Sequence, residues 1–136
     1  MSVTLVAKVQ RGVLRERLER LGLNEGQALM LVELHREDGL SQSELAARLR
    51  VEPPSVTKVA RGLQRAGLVA RRRDPSNGRV VLVTLSERGI ALRSDLERAW
   101  REASDDVYGR LGRRDREAFR ALLDRLGAHP PEAQPR

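Results

Sequence analysis

Residues 55–65 restrict the fold most, because only a helix can separate the apolar side chains of this segment from its charged ones. When successive residues are turned by about 100°, the apolar side chains form one stripe and the polar ones lie opposite. The stripe consists of Val56, Val59, Ala60 and Leu63, and the opposite side carries Thr57, Lys58, Arg61 and Arg65. Such a helix can bury one side and present a basic side to a partner.

A second short helix is predicted directly before this one. Ser41 and Glu44 have the spacing of a capping box. The buried side of the helix would consist of Leu45, Ala46 and Leu49. Pro54 suits the first position of the following helix, whereas Pro53 should be kept out of helical geometry by the proline after it. Two short helices across a tight break predict a helix-turn-helix.

After Gly67 the apolar residues follow the pattern of strands. Gly67 itself suits the end of the preceding helix, in a Schellman closure. Strands are expected at 68–71 and 80–85, joined by a turn over 74–78 that contains an Asn-Gly pair. A two-stranded basic hairpin directly after such a helix is a wing. The predicted fold class is therefore mainly α with a small β-hairpin wing.

Helical spacing also predicts two helices on the N-terminal side of this region. The first covers 6–21 and ends at Gly22. The second begins after Asn24, with Gln27 completing a capping box, and ends near Glu37.

Two further helices are expected on the C-terminal side. Ser86 should cap a long helix that reaches Leu111, and Trp100 with the leucines of this helix is assigned to the core and a dimer interface. The apolar residues of the final helix are Ala118, Leu122, Leu123 and Leu126. The tail 127–136 contains three prolines and is predicted to be disordered.

The positive charge of the chain is concentrated in one quarter of the sequence. The formal net charge is +7. Nine basic and two acidic residues lie between Arg48 and Arg79, and the rest of the chain carries 17 of each kind. A basic patch of this kind indicates a polyanionic partner, and general solubility would not require it to be local.

Several classes of function have no support in the sequence. Cysteine is absent, which excludes disulfides and thiolate metal sites from its own side chains. No apolar stretch approaches the roughly 18 residues of a membrane span, and no secretory signal begins the chain, so a cytoplasmic protein is expected. His35 and His129 have no nucleophile pattern around them, and His35 is expected at the surface. No catalytic residue, metal site, cofactor or nucleotide-binding motif is predicted.

The motifs found so far follow one another in the order of a known family. They are Leu45-Ala46-x-x-Leu49, Val56-Thr57-Lys58, Leu63 with Gly67-Leu68-Val69, Arg73-Asp74-Pro75, Arg79, and Leu85-Ser86-x-x-Gly89. On these residues the chain resembles the MarR-type (multiple antibiotic resistance regulator) winged helix-turn-helix transcriptional regulators. The resemblance covers roughly 5–126 and is most specific over 41–89.

The resemblance implies a single domain over 1–126, with a winged helix-turn-helix core at 24–89 and dimerisation helices at 1–23 and 90–126. A homodimer of this kind places one recognition helix per subunit in a major groove and one wing tip in the flanking minor groove. Such proteins usually repress transcription by binding an inverted-repeat operator. Many release DNA when they bind a small, often aromatic or phenolic, effector.

Three positions depart from the pattern of the family. Arg61 stands where many members have an acidic residue and Gly62 where many have a basic one, so a known operator should not be assumed. Gly62 costs about 1 kcal/mol relative to alanine in a helix, and both close approach of the backbone to DNA and simple tolerance would explain it. Asn77 replaces the usual aspartate two residues before Arg79, so Arg79 should be held less firmly.

Eleven residues are predicted to contact double-stranded DNA: Ser41, Gln42, Ser55, Thr57, Lys58, Arg61, Arg65, Arg71, Arg72, Arg73 and Arg79. The alternative is a winged-helix module that binds protein and reads no DNA sequence. In that case the polar side of residues 55–65 should be apolar or acidic, whereas it is basic here.

Overall fold

The protein is mainly helical, with one small antiparallel sheet, in a computed structural model that describes the backbone of residues 3–126 and the side chains of residues 11–121. The elements are α1 (Val3–Arg20), α2 (Glu25–Arg36), β1 (Leu40–Ser41), α3 (Gln42–Leu49), α4 (Pro53–Arg65), β2 (Val69–Asp74), β3 (Asn77–Leu85), α5 (Glu87–Ala91), α6 (Arg93–Gly109) and α7 (Arg113–Leu126). The fold class predicted from the sequence is confirmed. The tail predicted at 127–136 lies outside the described residues.

The chain forms two compact units. Leu23–Ser94 contains α2 to α5 and the sheet, and the other unit contains α1, α7 and nearly all of α6. No helix within 3–126 is both long and apolar enough to cross a membrane. The limits given above for the DNA-binding core and the dimerisation helices stay predictions.

The core of the unit Leu23–Ser94 is formed by aliphatic side chains from its helices and its sheet. Its largest fully buried members are Met30, Leu31, Leu34, Leu45, Val56, Leu63 and Val83. On α4, Val56, Ala60 and Leu63 are buried and Val59 is half-buried. The apolar stripe predicted for residues 55–65 is thus confirmed, and it faces the core.

The helix ends follow the predicted capping chemistry. Asn24 with Gln27, and Ser41 with Glu44, form capping boxes whose hydrogen bonds measure 2.9–3.0 Å. Gly67 follows α4 in the left-handed conformation (φ 75°). The amide of the next residue donates to a carbonyl five residues earlier over 3.0 Å, which completes the Schellman closure.

The prediction that Pro53 lies outside helical geometry is wrong. Pro53 is the first residue of α4 and Pro54 the second, after the N-cap residue Glu52. The amide of Ser55 already donates to the Glu52 carbonyl over 3.0 Å. Amides of the first helical turn have no partner within the helix, so neither proline removes a hydrogen bond there.

The sheet contains a third strand that the sequence analysis did not predict. β1 is two residues long and pairs antiparallel with β3, which places Leu40 opposite Val83 and gives the strand order β1-β3-β2. Two residues are too few for an alternating pattern to be recognised.

The turn of the wing is shorter than the predicted 74–78. Asp74 pairs with Asn77, so only Pro75 and Ser76 form the loop and the Asn-Gly pair belongs to β3. The Asp74 carboxylate accepts from the Ser76 amide at 2.9 Å and from its hydroxyl at 2.7 Å. These bonds stabilise a turn at Pro75 and Ser76, directly before the Asn-Gly pair that was expected to form it.

The long helix predicted from Ser86 onward is divided. α5 ends at Ala91, Leu92 is its C-cap, and α6 begins at Arg93. Apolar residues keep the helical spacing on both sides of this break, and therefore the sequence pattern could not reveal the break. The break lies just before the boundary between the two units, so each helix packs in its own unit.

The second unit buries one side of α6, through Leu96, Ala99, Ala103 and Val107. Val107 also forms a cluster with Leu111 and Phe119, and the ring of Tyr108 meets Phe119 edge to face with centroids 5.4 Å apart. Ala118 was predicted on the apolar side of the final helix but is exposed, and Phe119 is buried instead. The side chains of Leu122, Leu123 and Leu126 are not among those described.

Gly89 lies at a junction within Leu23–Ser94 where there is no space for a side chain. A Cβ atom there would lie 2.1 Å from the carbonyl oxygen of Leu68. The same carbonyl accepts from the Ser86 amide over 3.0 Å, which fixes its position. The Gly89 carbonyl accepts from His35 Nε2 over 2.8 Å, so His35 is half-buried and joins α2 to α5. The predicted surface position of His35 is therefore wrong.

We expect Gly89→Ala to destabilise the protein by about 1–3 kcal/mol, because the added methyl group must displace backbone atoms in a packed region. Denaturant unfolding followed by circular dichroism measures this change. Gly78→Ala is the matched control, since a Cβ atom at Gly78 meets nothing within 4 Å, and its effect should stay within about 0.5 kcal/mol. Equal midpoints for the two variants would contradict the junction described above.

Candidate nucleic-acid interface

The basic side of α4 is an exposed cationic feature of the helix-turn-helix. The helix packs against α2, α3 and β2 through its apolar stripe. Lys58, Arg61 and Arg65 are exposed on the other side. Together with Pro54 and Thr57 they line an open depression of about 370 Å³. The packing of the stripe therefore directs these three cations to the solvent.

These cations are not compensated by neighbouring acids. Within the part of the chain whose side chains are described, Lys58, Arg61 and Arg65 make no ion pair or side-chain hydrogen bond. Arg48 differs, because it pairs with Glu37 and lies 3.8 Å from the Glu33 carboxylate, and the hydrogen bond to Glu37 raises its pKa. Arg48 therefore belongs to the basic segment of the sequence without adding to the free positive charge of the surface.

Ser55 and Thr57 occupy different environments at the start of α4. Ser55 is exposed. Thr57 is half-buried, and its hydroxyl donates to the Pro53 carbonyl over 3.3 Å. The Thr57 oxygen still has a free lone pair to accept a hydrogen bond.

The two residues at the N-terminus of α3 that were predicted to contact DNA make hydrogen bonds within the protein. Ser41 is buried, with 9% of its surface exposed, and its hydroxyl caps the helix. Gln42 is half-buried, and when its amide is oriented so that both ends find suitable partners, its oxygen accepts from Arg71 at 3.1 Å (Nη2) and 3.2 Å (Nε). The sequence motifs give no sign of this link between α3 and the wing. Ser41 is thus nearly buried and engaged in the cap, and Arg71 is held against α3.

The other three arginines of the wing are exposed. Arg73 donates to the Gly78 carbonyl over 2.8 Å and so crosses the hairpin. Arg72 lies near Asp74, whose pKa is lowered mainly by the hydrogen bond from Ser76 and in small part by Arg72. Asp74 therefore stays ionised at neutral pH and reduces the positive charge at this point of the wing.

Arg79 of the wing is held only through its backbone. Asn77 Oδ1 accepts from the backbone amide of Arg79 over 3.2 Å, and this bond leaves the guanidinium group free to move. No acceptor for that guanidinium group is found among the described side chains. This geometry agrees with the expectation that an asparagine at position 77 would hold Arg79 only weakly.

The structure gives a local reason for glycine at position 62, which neither of the two explanations from the sequence included. A Cβ atom there would lie 3.0 Å from the side-chain nitrogen of Gln27. The oxygen of the same amide accepts from the Asn24 backbone in the capping box of α2. Gly62 thus leaves room for Gln27, the residue that completes the capping box of α2.

Metal-binding chemistry is not evident in the part of the chain that the structure describes. No three His, Asp or Glu side chains come close enough together there to hold an ion. His35 donates to a backbone carbonyl.

Comparison with known proteins agrees with this architecture. The sequence profile of the MarR family matches residues 23–81. The HTH-type transcriptional repressor Rv2887 of Mycobacterium tuberculosis is 36% identical over 123 residues, which are 90% of this chain and 88% of that protein.

Two crystal structures of Rv2887 are similar to this chain over its length. The complex with DNA has a TM-score of 0.74 at 33% identity and covers 92% of this chain and 93% of that one. The complex with salicylic acid has a TM-score of 0.69 at 35% identity, with the same coverage. Because similarity at this level spans most of both sequences, the chain belongs to the MarR family of helix-turn-helix transcriptional regulators.

Proposed function

We propose that this protein is a transcriptional repressor that binds an inverted-repeat DNA operator as a homodimer. The observation that carries the proposal is the row of exposed, uncompensated cations on α4, namely Lys58, Arg61 and Arg65. A helix of this kind inserts its side chains into the major groove, where arginine and lysine recognise guanine. The relationship to Rv2887, a repressor crystallised with DNA, supports the same function.

Arg72, Arg73 and Arg79 of the wing extend the proposed interface beyond the helix. A hairpin with exposed arginines suits the minor groove, because a narrow groove concentrates negative potential. Arg71 and Gln42, which bond to each other, connect the wing to α3 and would contact the DNA backbone between the two. Ser55 and Thr57 complete the set of contacts at the start of α4.

A homodimer is part of the proposal because one recognition helix reads only a few base pairs. Two copies related by symmetry would read two half-sites about one helical turn apart. The apolar residues of the predicted long helix add little support for a dimer interface, since Leu96, Val107 and Leu111 are already buried within one chain. The dimer therefore rests mainly on the family relationship.

Release by a small molecule is the remaining part of the proposal. Rv2887 has been crystallised with salicylic acid, which supports a small aromatic acid as the effector. Salicylate is the compound to add first in the binding assays described below.

The protein-interaction alternative is disfavoured by the same cations. A module that binds protein was expected to have an apolar or acidic polar side on this helix, whereas Lys58, Arg61 and Arg65 are exposed there.

Selection of binding sites from a random duplex pool tests the proposed function. We expect inverted repeats with half-sites about 10 bp apart, or a multiple of a helical turn, and light scattering should give twice the monomer mass. With roughly 6–10 phosphate contacts, affinity should fall by about 10³–10⁵ between 50 and 200 mM salt. Asymmetric sites, a monomer, or binding insensitive to salt would each contradict the proposal.

We expect Lys58→Ala and Arg61→Ala to weaken binding to the selected operator by about 1–3 kcal/mol wherever a base contact is lost. Each variant should also accept base changes in the half-site that the parent rejects. Arg36→Ala removes an exposed arginine on α2 that pairs with Glu33 over 3.5 Å, and it serves as the control. If all three variants lose the same affinity on every sequence, α4 does not read the bases.

Arg79→Ala should weaken binding mainly to operators with A·T-rich flanks, because an arginine in a narrow minor groove is favoured there. Competition assays at fixed salt, with A·T-rich and G·C-rich flanks around the same half-sites, measure this difference. The melting temperature should not change, since the side chain is exposed and unpaired. Binding as tight as that of the parent to both operators would show that the wing does not enter the groove.

A further inference from the structure

Arg50 is the C-cap residue of α3, and its backbone has a conformation that residues other than glycine rarely adopt. Its φ is 55° and its ψ is 47°. It is the one non-glycine residue with positive φ among those described. The other residues with positive φ are Gly22, Gly39 and Gly67. A Cβ atom in the left-handed conformation lies too close to the following carbonyl, so an arginine bears a steric cost here that glycine would avoid.

The fold requires this conformation but does not require an arginine. The amide of Arg50 donates to the Ala47 carbonyl over 3.4 Å, and the amide of Val51 donates to the Ala46 carbonyl over 3.1 Å. These bonds close α3 and turn the chain toward Glu52, the N-cap of α4. Glycine would form the same bonds with less strain, so a stabilising role does not explain the side chain at position 50.

The charge of Arg50 is free, in contrast to that of the arginine two positions earlier. Arg50 is exposed and has no ion pair or side-chain hydrogen bond within the described part of the chain. Arg48 is paired with Glu37 and lies near Glu33. The connector between the two helices, which also contains Glu52, therefore carries one cation that makes no ion pair.

Arg50 lies in the connector between the two helices of the helix-turn-helix. In a helix-turn-helix the second helix enters the major groove by its N-terminal residues, while the first helix crosses the sugar-phosphate backbone. Arg50 lies between these helices, three residues before Pro53. We infer that Arg50 binds a backbone phosphate at the edge of the major groove, a contact that rests on the proposed function and that the sequence motifs did not indicate.

Arg50→Gly tests this inference, because it should move stability and affinity in opposite directions. Removing the strain should raise the melting temperature by about 2–5 °C. Binding to the selected operator should weaken by about 10- to 100-fold for a dimer that loses two phosphate contacts. The slope of log affinity against log salt should become shallower by about 2, and the preferred sequence should not change.

Two variants separate a local contact from a general effect of charge. Arg50→Lys keeps the cation and should retain the salt slope of the parent. Arg48→Ala removes the same formal charge two residues away, but that charge is already paired, so its salt slope should also match the parent.

The outcomes distinguish this inference from the proposed function. Parent-like affinity and salt slope for Arg50→Gly would overturn the inference alone, as would an equal loss of slope in Arg48→Ala or Arg50→Lys. A lower melting temperature for Arg50→Gly would overturn the argument that the arginine is held at a steric cost. Absence of salt-dependent DNA binding by the unchanged protein would overturn the proposed function and this inference with it.

Discussion

Burial of the apolar side of α4 is the constraint on which the whole interface depends. Val56 and Leu63 are fully buried, and side chains of this size each contribute about 1.5–3 kcal/mol when they leave water. Rotating the helix would expose them and would bury Lys58 and Arg61, whose desolvation costs much more. The hydrophobic core of Leu23–Ser94 therefore determines which side chains α4 presents to a ligand. The cationic side chains themselves do not set the orientation of the helix.

Charge in this protein is either paired locally or left free, and the difference follows position in the fold. Arg17 pairs with Glu102 at 2.6 Å and with Asp106 at 2.5 Å, and so holds α1 to α6 within their unit. Arg48 is paired in a similar way with acids of α2 and the residue after it. The cations of α4 have no such partners, which leaves their full charge available to a polyanion. Net charge alone would not have separated these two groups.

Much of the fold could be predicted because its signals are local. Helix periodicity, the two capping boxes and the glycine after α4 each depend on residues within one or two turns of one another. The same holds for the basic side of α4, since burying the apolar stripe leaves only one orientation for the helix. The predictions failed where a second local interaction also applied. The Asp74 side chain forms the wing turn directly before the Asn-Gly pair. Pro53 fits the start of α4 because that position needs no amide hydrogen bond.

The sequence by itself thus determined the winged helix-turn-helix, the family and the side of α4 that carries the cations. Only the tertiary structure decided which polar side chains are free, because a partner can come from any element that packs nearby. Ser41 is consumed by a cap, Arg71 is held by Gln42, and Gly62 makes room for Gln27. Arg50 is the clearest case, since its left-handed backbone arises from the path between two packed helices, and no periodicity or motif records that path.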